Sequence, residues 1–395
     1  MQQDRHQAQL VVATHSSPSS PHCQQFSRQP NIDAVRGLAV LGIFYLNIFT
    51  MGISSYEYVA SEPAATGDTL GEILYYMLLR DRFISLFSLL FGVGLYIQWH
   101  NFSAAGLNAG SRVKSRLYWL MAFGMVHGVL LWPGDILLSY GVCGLLVWRY
   151  RGLSTAELLQ KAQLFIAIGL LVMLLMALIP IEAAPMVRGS PAYMHEYQLW
   201  TGSYGSQLVQ QLLVVGVSLL VFPMTYLWLI SGMMLLGIYL LQQGWFSHRL
   251  SNVHRLLGWS LILGFIAYQC STADSYIIQN MALVIVLLAA IPMALWMLQW
   301  VVGYCDNQPQ RLTALQAVGK IPLSLYILQS VVGVMLFRHV APQLLLTLNF
   351  LDYLLLASIW SLIQLLLASA YLRYFKQGPL EWLWRKLAYN GLQGR

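Results

Sequence analysis

The chain has 395 residues, 58% of them hydrophobic and only 9% charged, with a mean hydropathy of +0.61. A soluble domain carries roughly 25% charged residues, so charge this sparse cannot cover a water-facing surface of this size. The net charge of +7 does not mark a nucleic-acid binder, because Lys and Arg sit in short loops between apolar runs and not on one stripe or tail.

Residues 1–30 are polar, rich in Gln, Ser, Pro and His, and lack the apolar core of a signal peptide. They predict a disordered cytoplasmic tail. Over 31–376, apolar runs of about 20 residues recur with short polar breaks, the pattern of an all-α, polytopic membrane helix bundle. About ten spans are expected: 35–53, 82–99, 114–131, 136–150, 162–181, 225–243, 256–271, 279–302, 320–340 and 353–373. The stretch 207–243 reads either as two crossings hinged at Phe222-Pro223 or as one crossing preceded by an interfacial piece. Basic loops at 100–116, 149–161, 248–255 and 311–320 and after Arg373 share one side only if it is one crossing, which places both termini in the cytoplasm. Opposite them, the 54–72 loop carries Glu57, Glu62, Asp68 and Glu72. The 182–206 loop is long enough to form an extracytoplasmic lid. Gly378-Pro379 followed by Trp382, Trp384, Arg385 and Lys386 makes 377–395 an interfacial tail. The four cysteines have neither metal-ligand nor redox spacing, and no metal is expected.

Three strings interrupt the apolar runs with groups that carry chemistry. Asn31-Ile32-Asp33-Ala34-Val35-Arg36-Gly37 opens the first span. Its bland reading is a helix cap, with Arg36 reaching to the headgroups. Its functional reading joins Asp33 and Arg36 with Arg112, Lys114 and Arg116 in a site for a phosphorylated ligand. Arg82 heads an otherwise apolar span whose glycines permit close packing, so its guanidinium is expected to turn inward. His127 lies within a span between Gly124 and Gly128, a small-xxx-small pair. After the Pro133-Gly134 turn, Asp135 either caps the next helix or folds back to the imidazole. A histidine with a carboxylate is the usual pairing of base and orienting group. Neither G-x-S-x-G nor a Walker loop accompanies it.

NIDAVRGLAVLGIFYLNI, RFISLFSLLFGVGL, RLYWLMAFGMVHGVLLWPGDILLSYGVCGLL, SGMMLLGIYLL, VGKIPLSLYILQS and YFKQGPLEWLWRKL follow in order over nearly the whole chain beyond the tail. In them the sequence resembles the YeiB-like family of bacterial inner-membrane proteins, a family of unknown function. The resemblance implies a multi-pass protein of the inner membrane, and a Gram-negative source. That family is in turn distantly similar to membrane acyltransferases, including the lysosomal enzyme that acetylates heparan-sulfate glucosamine with cytosolic acetyl-CoA. The shared element is Asp33-Ala34-Val35-Arg36-Gly37. The loop 54–80 contains no histidine, a departure from the lysosomal enzyme that passes any catalytic role to His127.

Two functions are therefore expected of one set of residues. In the first, acyl-CoA or acetyl-CoA docks on Arg36 and the 112–116 cluster, His127 is the general base, Asp135 orients it and Arg82 steadies the oxyanion. The acceptor is a glycan, lipid or small molecule. In the second, the chain transports a small solute and the inward charges form its relay. Besides the lipid bilayer, a second copy of the chain in a homodimer is admitted as a partner; nucleic acid is not.

Overall fold

Several helices among the described residues start where a proline or a short polar side chain takes over the missing turn. The computed structural model describes residues 29–179, 186–305 and 308–390. Pro30 opens α1 (Pro30–Asn47), and α2 (Thr66–Leu74) continues through a π turn to α3 (Arg82–Ala104). The Asn108 side chain accepts the Ser111 amide to start α4 (Ala109–Leu130), which a tight turn joins to α5 (Leu137–Trp148). Ser154 and Glu157 cap each other's amides at the head of α6 (Thr155–Ala177). Ser190, followed by Pro191, starts α7 (Pro191–Thr201). There follow α8 (Tyr204–Val221), α9 (Tyr226–Gln242), α10 (His254–Ser271) and α11 (Tyr276–Cys305). The expected 320–340 span is broken at Ile321: α12 (Thr313–Lys320) ends there, and Pro322 begins α13 (Pro322–Val334), which runs on as a π turn to Val340. After α14 (Leu344–Thr347) come α15 (Phe350–Tyr374) and α16 (Pro379–Asn390).

Every regular element among the described residues is helical. Seven of these stretches are long and apolar enough to cross a membrane, and α5 and α9 are shorter apolar helices. The molecule is thus an all-α membrane helix bundle. Of the expected tail at 1–30, all but residues 29 and 30 lies outside the described residues, as do 391–395 of the expected C-terminal tail.

The stretch 207–243 falls on two helices, α8 and α9, joined at Phe222-Pro223. Tyr204, at the start of α8, donates to the Leu130 carbonyl at the tip of α4. Val217, Ser218, Leu219, Val221 and Phe222, at its end, line one cavity with Gly124 of α4. From there α9 passes Cys143, whose thiol donates to the Leu227 carbonyl, and ends where Gln242 bonds Tyr96 and Thr155. Of the two, α8 is long and apolar enough to cross a membrane, and α9 is a shorter apolar helix.

In the 182–206 loop, α7 is anchored by buried Trp200, whose indole donates to Ser55 and Glu196, and by the Tyr193 hydroxyl on the Leu345 carbonyl. The glycines of α1 and α12 decide the packing of the first string. Any side chain at Gly37 would collide with the Leu315 carbonyl, and any at Gly319 with that of Asp33. The two backbones touch, which lets Arg36 span both helices.

Candidate functional site

The spine of the site is α4. Arg116, Leu120, Gly124 and His127 recur at i, i+4, i+8 and i+11 and so form one stripe. From Arg116 to His127 the rise is about 16 Å.

His127 is 5% exposed. Its Nδ1 lies 2.8 Å from Asp135 Oδ1, while its buried Nε2 has no hydrogen-bond partner among the described residues. The other oxygen of Asp135 accepts the Leu138 amide at 2.8 Å. Capping and folding back, the two roles read for Asp135, are thus performed together. Glycine makes the contact possible: a side chain at Gly124 would strike the Leu138 amide and the Asp135 carboxylate. The Tyr326 ring sits 5.3 Å from the imidazole and that of Trp132 6.1 Å. The Tyr326 hydroxyl accepts the Ile136 amide at 3.2 Å and so braces the turn that carries Asp135.

Two cavities meet at this turn. The first, about 280 Å³, has Arg36, Arg116, Lys320, Lys376 and Arg385 at one end and Ile136, Tyr140 and Tyr326 at the other. Arg36 is held by Asp33 at 3.0 Å and donates to the Gly319 carbonyl at 3.2 Å. Arg116 lies 4.0 Å from the centre of the Trp384 ring and donates to the Tyr389 hydroxyl, so α16 closes this flank. Glu381 of α16 accepts the Leu323 and Ser324 amides and the Ser324 hydroxyl, capping α13 from another helix. Burial raises its pKa from the ordinary value of a glutamate, against the hydrogen bonds it accepts. The second cavity, about 480 Å³, is lined by Asp135 and Ser139 and by α8; it shares Ile136 and Tyr140 with the first.

Of the residues read from sequence, the structure brings His127 to Asp135 and Arg36 to Arg116. Arg112 lies 5.3 Å from the centre of the Tyr389 ring and 5.9 Å from that of Phe102, two rings that meet edge to face. Lys114, two residues from Arg116 and so nearly opposite on the helix, lines a separate surface hollow with Tyr118 and Trp119. Asp33 positions Arg36 and does not line the first cavity. Arg82 does turn inward and is fully buried, but its Nη1 donates to the Arg80 carbonyl and its Nη2 lies against Gly264 of α10. No hydrogen bond among the described residues joins it to His127 or Asp135, and it lines neither cavity.

Sequence reasoning missed Lys320, Lys376 and Arg385 as members of the cationic end; only their shared side was legible. It also missed Tyr326 and Arg338. The Arg338 guanidinium is 1% exposed, donates to the Met51 and Gly52 carbonyls and to Ser54, and lies 4.5 Å from the Trp200 ring centre. A charged pair, Arg338-His339, inside an apolar run was the available signal.

Residues 240–391 match the family model described as "Protein of unknown function (DUF418)". The chain is 31% identical over 392 residues to the "Uncharacterized protein YeiB" of Escherichia coli (strain K12), covering 91% of this chain and 96% of that protein. It is 24% identical over 393 residues to the "Uncharacterized protein YxaH" of Bacillus subtilis (strain 168), covering 92% and 94%. An "Uncharacterized 39.9 kDa protein in amylase 3'region" of Bacillus acidopullulyticus is 26% identical over 370 residues, covering 91% and 93%.

Proposed function

The chain belongs to the YeiB-like family, and from that premise we propose that it is a bacterial inner-membrane acyltransferase, taking an acyl group from cytosolic acyl-CoA to an acceptor that arrives from the other face. The observation that carries this reading is the buried His127–Asp135 pair, with Nε2 unpartnered among the described residues: Asp135 lines the second cavity, and the imidazole, which itself lines neither cavity, packs against Tyr326 of the first.

On this reading the basic end of the bundle faces the cytoplasm. Arg36, Arg116, Lys320, Lys376 and Arg385 hold the phosphates of the donor. The pantetheine arm lies along the stripe of α4 and brings the thioester toward Tyr326 and Ile136. With Nδ1–H held by Asp135, Nε2 takes the proton from an acceptor hydroxyl or amine. The freed lone pair attacks the thioester carbonyl, the C–S bond breaks, and the imidazolium returns the proton to the leaving thiolate. Asp135 stabilises the imidazolium between these steps.

The test is release of CoA thiol from acetyl-CoA by purified protein in nanodiscs, with co-purifying CoA species sought by mass spectrometry. Thiol release that requires His127 supports the proposal. Uptake of a solute into proteoliposomes, with no thiol release under any acceptor, favours the transport reading, in which Ile136 and Tyr140 form the gate between the cavities.

A further inference from the structure

The second cavity differs from the first in where it opens and in what charge it carries. Its outer wall is α8, the least enclosed of the span-length helices: 11% of its apolar window is buried, against 72% for α1. Val217, Leu219 and Val221 line the cavity while being 60%, 44% and 37% exposed. In a bilayer such side chains face acyl chains, so the mouth lies on the lipid-facing flank and not at an aqueous end of the bundle. Across from α8 the cavity is lined by Asp135 and Ser139, next in the chain to Ile136 and Tyr140, the two residues it shares with the first cavity. Among the described residues no Lys or Arg lines the second cavity, in contrast to the five cations of the first.

We infer that this cavity is the entry site for a membrane-dissolved amphiphile whose chain lies against α8 and whose reactive end is a hydroxyl or an amine. The carboxylate of Asp135, with no cation beside it in the cavity, favours a hydrogen-bond donor and disfavours a phosphate or carboxylate head. The volume and the apolar wall suit an alkyl chain in van der Waals contact. That the occupant is then acylated rests on the acyltransferase reading; that it binds here does not.

The experiment uses the full chain in nanodiscs and a long-chain primary alcohol bearing a mid-chain diazirine, without any acyl donor. After irradiation, adducts are mapped by peptide mass spectrometry. They are expected to concentrate at 133–139 and 215–222 and to fall several-fold in Val215→Trp and in Ser218→Trp, which fill the cavity from a lipid-facing helix. Gly216→Trp, on the same helix with open space around it, should leave labelling unchanged and controls for folding. Adducts spread evenly over the lipid faces of α6, α10 and α15, or labelling indifferent to Val215→Trp and Ser218→Trp, overturn the inference. Labelling as expected, with thiol release from acetyl-CoA that persists in both cavity-filling variants, upholds the site and shows that its occupant is not the acyl acceptor. Labelling as expected, with no thiol release in the parent, upholds the site and removes the transferase.

Discussion

Nδ1 of His127 and Oδ1 of Asp135 lie 2.8 Å apart where α4 turns into α5, and the same carboxylate holds the first turn of α5 through the Leu138 amide. A carboxylate in that position keeps the proton on Nδ1 and leaves the lone pair on Nε2, the tautomer a general base requires.

His127→Gln keeps a polar group of similar reach, so the protein should fold with normal yield while thiol release falls by about 10²- to 10⁴-fold. Asp135→Asn can still accept from Leu138, and should fold, but it presents an amide that favours the wrong tautomer and should lose transfer by a comparable factor. The measurement is yield, monodispersity and rate in one preparation of each variant. Transfer retained in His127→Gln removes the imidazole from the chemistry; a folding failure in both variants returns the pair to a packing role.

The cations separate by helical phase. Arg36→Gln, at the mouth of the first cavity, should weaken CoA binding, and the parent's own affinity should fall steeply with added salt. Lys114→Gln removes the same charge from the opposite side of α4 and should bind as the parent does. Titration calorimetry at low and high salt checks both. Equal losses in the two variants mean that net charge, and not the cavity, attracts the ligand.

These contrasts mark what was legible in the sequence. The histidine between glycines, the turn and Asp135 are near neighbours in the chain, so local rules place them together. Arg116 and Lys114 looked equivalent as basic residues, and only the phase of α4 distinguishes them. Lys320 and Arg385 reach the cavity through the packing of α12 against α1 and of α16 against α4, and Lys376 through the link between α15 and α16, which no short-range pattern encodes. Arg82 satisfied the rule that a charge heading an apolar helix turns inward, but the rule does not say toward which neighbour. The cap on α13 was hidden for the same reason: its carboxylate, Glu381, comes from a helix 57 residues away along the chain from Ser324.

Glu381 gives a pH test of that cap. Burial raises its folded-state pKa above the unfolded value, so the folded state binds this proton more tightly than the unfolded chain does. The resulting stability is present below the unfolded pKa of about 4.3 and is lost as pH rises through the folded value. Thermal unfolding in detergent should therefore show a midpoint that declines from acid toward neutral pH. Glu381→Gln, a neutral acceptor for the same amides, should flatten that decline. An unchanged slope in the variant assigns the pH dependence to other groups.

Topology depends on how α8 and α9 divide the bundle's thickness. If the two together make a single crossing, the chain has an even number of crossings and both termini face the cytoplasm with the basic loops. Reporter fusions after Gly106, Gly152 and Asn252 and at the C terminus should then all report cytoplasmic. If α8 crossed independently, every fusion beyond it would switch sides, so Asn252 and the C terminus would report periplasmic while Gly106 and Gly152 would not change. That split result would also move the cationic residues Lys320, Lys376 and Arg385 to the far side from Arg116. Such a separation is incompatible with one cavity lined by all four, so the fusion at Asn252 tests the fold and the donor site together.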